Sequence, residues 1–254
     1  MKDWDIQINY GIKTGYNDAF IISTEKRNEI LANCKTEEER RKTEELIRPI
    51  LRGRDIKRYG YEWADLWLIN THNGVKGRIP RVRIEDYPAV KAHLDQFWDK
   101  IKDRADQGDT PYNLRNCAYL EDFSKPKAMW KIIGCNINFS FDYSHCLCNN
   151  AVNIITGHEE LLLQFVGIMN SKLFDWYLKL TTEAEVQGGG IQLYVTTLEK
   201  TLVKLDFSEE LSNVVRNRIR CQASDNDVDN AVFKAYGIDS TEQSFILTHK
   251  KVNR

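Results

Sequence analysis

The residues best suited to chemistry cluster in the block Leu46-Ile47-Arg48-Pro49-Ile50-Leu51-Arg52-Gly53-Arg54-Asp55-Ile56-Lys57-Arg58-Tyr59. Five of its fourteen residues are Lys or Arg and one is acidic. Its Pro and Gly exclude one regular helix. A turn lined with arginines suits phosphate oxygens or base edges, and Leu46, Ile47, Ile50, Leu51 and Ile56 would anchor that turn to a core. A second cluster, Lys76-Gly77-Arg78-Ile79-Pro80-Arg81-Val82-Arg83, carries four cations in eight residues. Its alternation of Arg78, Arg81 and Arg83 with Ile79 and Val82 predicts an extended ribbon with one cationic side. Amides near such loops, Asn70, Asn73, Asn136 and Asn138, are candidate adenine readers, since an amide can bond adenine through two atoms. Lys125, Lys127 and Lys131 are candidate phosphate contacts. Tyr16 and Asn17 lie at the tip of an N-terminal turn beside Lys13 and Thr14.

Hydrolytic chemistry has one foothold. Asp55-Ile56-Lys57, with Glu44 or Glu45 upstream, has the spacing of a metal-dependent nuclease, but Asp55 follows a Gly-Arg turn rather than an apolar strand. Cys135, His145, Cys146 and Cys148 form a loose group whose spacing matches no standard zinc signature. No nucleophile elbow and no Gly-x-Gly loop after a strand is present.

Several segments, in order along the chain, resemble the TaqI-like specificity domain, the target-recognition part of adenine-specific DNA methyltransferases and of combined type IIG restriction–modification enzymes. The Arg-rich block resembles that family's Arg-Pro-x-Leu-x-Gly-Arg-Asp-Ile signature. Gly11-Ile12-Lys13-Thr14-Gly15-Tyr16-Asn17-Asp18-Ala19-Phe20 resembles its opening strand–turn–strand. Tyr87 to Leu94 resembles its helix start, and Asp122-Phe123-Ser124-Lys125-Pro126-Lys127-Ala128-Met129-Trp130 its Phe-x-Lys-Pro-Lys-x-x-Trp strand entry. Val166 to Leu173 resembles its Leu-Asn-Ser-Lys helix, and Asp229 to Ile238 its closing helix. The likeness runs from about residue 8 to 245.

The resemblance implies a DNA-binding module without its own catalysis, docking double-stranded DNA against a methyltransferase domain of the same polypeptide and, in a combined enzyme, a nuclease domain. S-adenosylmethionine and Mg2+ would serve that parent enzyme, and no cofactor would bind this part. It also implies that Asp55 orients Arg52 or Arg54. The methyltransferase motif Asn-Pro-Pro-Tyr is missing: the prolines, at 49, 80, 88, 111 and 126, never adjoin. The expected DNA contacts are Lys13, Thr14, Tyr16, Asn17, Arg52, Arg54, Arg58, Asn73, Lys76, Arg78, Arg81, Arg83, Lys127 and Asn136. Two alternatives stand: a self-sufficient nuclease, and a protein-interaction module using the charged segment 36–47.

Composition constrains these readings. The 254 residues are 42% hydrophobic and carry a net charge of −1, so a nucleic-acid surface must be local rather than global. Acidic residues gather elsewhere, five Glu between Thr36 and Glu45 and three Asp between Ser224 and Asp229. Six cysteines with no secretory signal, and no apolar run of membrane-spanning length, point to a cytoplasmic protein with reduced thiols. The strand pattern Trp4-Asp5-Ile6-Gln7-Ile8 starts almost at the first residue, implying the C-terminal part of a longer chain.

The elements that must position these residues form a mixed α/β (α+β) layout, a compact domain over 1–207 with a mixed sheet and flanking helices, then a helical extension over 208–254. Strands are expected at 4–10, 18–23, 63–70, 128–133, 136–141, 151–155, 192–196 and 201–205. Helices are expected from Ser23 or Thr24 to Ala32 and at 36–47, 87–106, 159–180, 208–220 and 227–235, with a glycine loop at 186–191 and a hinge near residue 225.

Overall fold

The computed structural model describes residues 4–134, 136, 138–181, 185–186, 190–201, 203–204 and 209–248. In chain order, the N-terminal half contains β1 (Ile6–Tyr10), α1 (Asn17–Phe20), β2 (Ile21–Ser23), α2 (Thr24–Ala32), α3 (Glu37–Leu46), β3 (Ile47–Leu51), β4 (Leu66–Ile69), α4 (Pro88–Asp95) and α5 (Trp98–Ile101). There follow β5 (Lys127–Lys131), β6 (Ile133–Gly134), β7 (Phe139–Asp142), β8 (Leu147–Cys148), β9 (Val152–Gly157), α6 (Glu159–Asn170) and α7 (Lys172–Thr181). The chain continues through β10 (Glu185–Val186), β11 (Gly190–Gln192), α8 (Val195–Lys200), α9 (Glu209–Ile219), α10 (Asp225–Tyr236) and α11 (Ser240–Thr248).

Two four-stranded sheets carry the fold. One, ordered β1-β9-β5-β7, is antiparallel throughout. The other, β2-β4-β3-β8, is mixed, because β3 pairs antiparallel with β4 and parallel with β8. The Arg-rich block is therefore β3 followed by a 3-10 turn at Gly53–Asp55, which satisfies the expectation of an interrupted segment. Its apolar residues do the anchoring: Ile47, Ile50, Leu51 and Ile56 are buried in the core around this sheet.

The antiparallel sheet is covered by α6, whose Leu162, Leu163, Phe165, Val166 and Met169 are buried together with Trp130, Phe139 and Ile155. α6 is apolar on nearly all sides because α9 packs its outer face. The contact is tight at Gly167, where an added Cβ would lie 2.5 Å from Val215 Cγ2. Leu211, Val215, Val228 and Val232 of α9 and α10 enter the same core, so the C-terminal helices pack on the domain.

Capping explains three helix starts. The hydroxyls of Ser23, Thr36 and Ser224 accept the backbone N–H of Lys26, Glu39 and Asp227, three residues on. Two expected long helices are broken. The one at 159–180 ends at Ser171, whose extended backbone stops α6 and whose hydroxyl accepts the Phe174 N–H to start α7. The one at 87–106 is interrupted at Gln96–Phe97 and ends by Ile101.

Other boundaries move. The expected strand 18–23 is helical to Phe20, and the strand at 63–70 shortens to β4, after Asp65 at φ 54°. The strands at 136–141 and 151–155 occur as β7 and β9. Of the expected strand 192–196, only Gln192 is extended, as the end of β11, and Val195 and Thr196 open α8. In the expected strand 201–205, Thr201, Val203 and Lys204 are not extended pairs, and residues 202 and 205 lie outside the described set. Of the glycine loop, Val186 and Gly190–Ile191 belong to a β10–β11 pairing, and residues 187–189 lie outside the description.

Candidate nucleic-acid interface

The N-terminal turn is locked from below. Gly11 lies so close to Asn149 that an added Cβ would sit 2.0 Å from its carbonyl oxygen, and Ile12 bridges Asn149. Gly15 takes φ 69°, a conformation glycine adopts without strain. Between them Lys13 is exposed while Thr14 is buried, its hydroxyl donating to Asn17 Oδ1 at 2.6 Å. Tyr16 is half-buried and packs on Phe97 at 6.2 Å, and Asn17 is exposed.

The second cluster is a tight turn closed by one isolated bridge rather than the extended ribbon expected, with Lys76 to Arg78 in the turn itself. Val75 and Ile79 pair across a tight turn, with Gly74 and Gly77 both at φ 77°. Lys76, Arg78, Arg81 and Arg83 are exposed, and Val82 and Ile84 are buried, so the cations share the solvent side. Arg78 bonds Glu121 at 2.7 Å and the Ala118 carbonyl at 3.1 Å. Arg81 donates to Asp109 Oδ2 at 3.0 Å. Asn73 donates to Asp109 Oδ1 at 2.8 Å and to Asn116 Oδ1, and its own Oδ1 accepts the Asp109 backbone N–H at 2.8 Å. These bonds, Asn73 first and then Arg81, hold the Asp109 carboxyl below its usual range. An open groove of about 870 Å³ runs along this turn and the Asn116–Ala118 segment.

Arg104 fastens the two regions together. It is 6% exposed and donates to the carbonyls of Thr14 (2.8 Å), Ile101 (3.2 Å), Asn113 (2.5 Å) and Pro111. Its guanidinium lies 4.5 Å over the Phe20 ring, and burial pushes its pKa down to about 10. Asn113 is buried as well and donates to the carbonyls of Val82 and Thr71. Three segments far apart in sequence, 11–17, 73–83 and 104–116, are thus tied together. On the other side of the N-terminal turn, Gly53 packs against Ala151, with a virtual Cβ 3.3 Å from that side chain. This brings exposed Arg54 next to the 149–151 loop that Ile12 bridges.

Several expected contacts are placed otherwise. Lys127 is fully buried and bonds Asp142 at 2.5 Å and the Phe123 carbonyl at 2.9 Å, so it is an interior ion-pair member and is unavailable to a phosphate. Burial alone would raise Asp142, but Lys127, with Ser144, holds its carboxyl low. Arg58 turns to the C-terminal helices, donating to the Asn170 carbonyl at 2.5 Å and pairing with Asp225 at 3.2 Å. Arg52 is engaged by buried Asp55 through Nε at 3.1 Å and Nη2 at 2.9 Å, the orienting role that the family signature implies. Asn136 is exposed beyond β6. Among the other amides, Asn70 is 9% exposed and Asn138 donates to the Ile56 carbonyl.

The hydrolytic arrangement does not assemble. Glu44 pairs with Arg27, Glu45 with Arg41, Asp55 with Arg52 and Lys57 with Glu62. Cys135 lies outside the described residues, and Cys146 and Cys148 are buried. Among the described residues no group of three His, Cys, Asp or Glu could hold a metal ion, and no helix is long and apolar enough to cross a membrane. On α3, Arg41–Glu45 and Lys42–Glu38 are pairs within the helix, as expected of a solvated face.

Sequence reasoning missed Arg104, Asp109 and Asn116. Each works through partners at least nine residues away, apart from the Arg104 bonds to Ile101 and Pro111, and none sits in a patterned motif. The only local signal was the Gly108-Asp109 turn.

Comparison with known proteins bears on the family and the fold. The profile of the TaqI-like C-terminal specificity domain matches residues 48–201, from the Arg-rich block to the end of α8. No curated protein matches the chain. Among solved structures, one described as the type IIL restriction–modification enzyme MmeI in complex with DNA superposes with a TM-score of 0.63 at 13% identity. The match covers 95% of this chain and 34% of that one, so this chain spans about a third of that enzyme's length. At that identity the likeness is one of fold.

Proposed function

This chain belongs to the family of TaqI-like C-terminal specificity domains, and from that premise we propose that it recognises a short sequence in double-stranded DNA on behalf of a cytoplasmic restriction–modification enzyme. The observation that carries the proposal is the joining, through Arg104, of the Lys13 turn to the second cluster, which exposes Lys76, Arg78, Arg81 and Arg83. The chain's net charge is −1, so attraction to a polyanion must come from such a local face. The major groove is wide enough to admit a projecting turn of this size, and its arginines match the acceptors displayed there. Lys13 and Arg54 flank the 149–151 loop and suit phosphates, which fix register without reading sequence.

In this reading the chain does no chemistry. It holds the duplex in register so that a methyltransferase domain of a longer polypeptide can flip and methylate an adenine, and a nuclease domain, where the parent has one, can cut. S-adenosylmethionine and Mg2+ would serve those domains, and no step here is routed through them.

The test is selection from a randomised duplex pool by the 254-residue chain at low and moderate salt, with sequencing of the bound fraction. Enrichment of one short motif, with affinity falling steeply as salt rises, is the expected result. Absence of binding at both salts, or binding indifferent to salt and sequence, would overturn the proposal.

A further inference from the structure

Asn73 is one of the four amides named as candidate adenine readers, yet its side chain is spent. Both amide hydrogens go to Asp109 Oδ1 and Asn116 Oδ1, and its oxygen accepts the Asp109 N–H. What it leaves open is its neighbour. Asn116 is exposed at the groove, and among the described residues its Nδ2 has no partner. Its Oδ1 receives one hydrogen bond and keeps a second lone pair. Arg81 is in a similar state: Asp109 takes one Nη1 hydrogen, and the described residues leave the rest of the guanidinium fork unpartnered.

An exposed amide rotates freely and reads poorly, because bidentate bonding to a base needs the plane of the side chain fixed beforehand. Asn73 and Asp109 supply that fixing for both neighbours at once. Asp109 spans Asn73 and Arg81 with its two oxygens, and Asn73 spans Asp109 and Asn116. The four side chains form one chain of hydrogen bonds, ending at each end in an unsatisfied reading edge that faces the same groove. Resting on the DNA-recognition reading above, we propose that Asn116 reads an adenine and Arg81 a guanine of the target, and that Asn73 and Asp109 are positioning residues that set their planes.

The experiment is the same pool selection run on the 254-residue wild type, Asn116→Ala and Asn73→Ala. Asn116→Ala removes a neutral, exposed amide, so fold and salt dependence should hold. Its motif should lose discrimination at one A·T pair by about 5- to 150-fold, the worth of one bidentate contact, with every other position intact. Asn73→Ala should blur both that pair and one G·C pair while leaving the salt slope unchanged, a double effect that a purely structural loop contact would not give. An unchanged Asn116→Ala motif, or equal weakening at every position, would overturn the assignment while leaving DNA recognition standing. A wild type that enriches no motif would overturn both.

Discussion

Arg104→Met isolates the device that joins the candidate surface. Methionine keeps the stem packed and removes the guanidinium. Of the four carbonyls it serves, Asn113 retains the Gly108 N–H at 2.9 Å and Ile101 retains the residue-104 backbone N–H at 3.5 Å. The loss therefore falls mainly on Thr14 and Pro111. A carbonyl left without its donor costs ~1–3 kcal/mol, so two such groups give about 2–6 kcal/mol, less at half-buried Pro111. In a chain of this size that corresponds to roughly a 4–24 °C fall in Tm. Differential scanning calorimetry reads it directly, with Arg115→Met as control. Arg115 is an exposed partner of Asp106 at 2.9 Å, a kind of pair worth under ~1 kcal/mol. Below the transition, the Arg104 variant should still bind DNA weakly but lose the wild-type motif, because the Lys13 turn and the second cluster no longer share a fixed geometry. A Tm within about 2 °C of wild type would refute the claim that Arg104 carries this junction.

Three further outcomes are expected. Lys127→Met strands the buried Asp142 carboxylate and should cost ~3–5 kcal/mol by urea denaturation at neutral pH; because the unpaired carboxyl then titrates above its unfolded value, the deficit should shrink as the pH is lowered, and a loss below ~1 kcal/mol would contradict the ion-pair account. Burial lowers both His72 and His93 below the ordinary 6.5, in His93 against the pull of its bond to the Ala19 carbonyl; their contribution is complete above pH 6.5 and is lost as the pH falls through their lowered values, so Tm should decline on acidification and His93→Gln should flatten that decline. Gly167→Ala gains helix propensity but forces a Cβ to within 2.5 Å of Val215, so chemical denaturation should show a net loss of ~1–3 kcal/mol rather than the gain expected at an exposed helical site.

What the sequence disclosed was what depends on neighbours in sequence. The cap at Ser23, the second cation cluster and the Asp55–Arg52 pair act over a few residues and were legible, whereas the Ser224 cap was not, since the helix was expected from 227 with a hinge near 225 and instead starts at Asp225. Nor was the break at Ser171, because Asn170-Ser171 lies inside an unbroken helical pattern and only the Ser171 hydroxyl bond to the Phe174 N–H marks the new start. Lys127 was misread for a related reason. As a lysine it looks like surface charge, and its burial depends on Asp142, fifteen residues away on β7. The same limit hid the hydrogen-bond chain at Asn73, whose partners lie 36 and 43 residues on. Cation clusters showed which segments carry charge, and packing decided which of them are tied together: Arg58 went to the C-terminal helices while the Lys13 turn joined the second cluster through Arg104.

The central claim, that one face assembled from three segments meets the duplex, is tested most directly by amide hydrogen exchange of the chain with and without its selected DNA. Slowed exchange confined to residues 11–17, 73–83 and 104–116, and to the neighbouring 149–151 loop, is the predicted result. Protection on α3 or on the C-terminal helices α9 to α11, with none on residues 73–83, would contradict it.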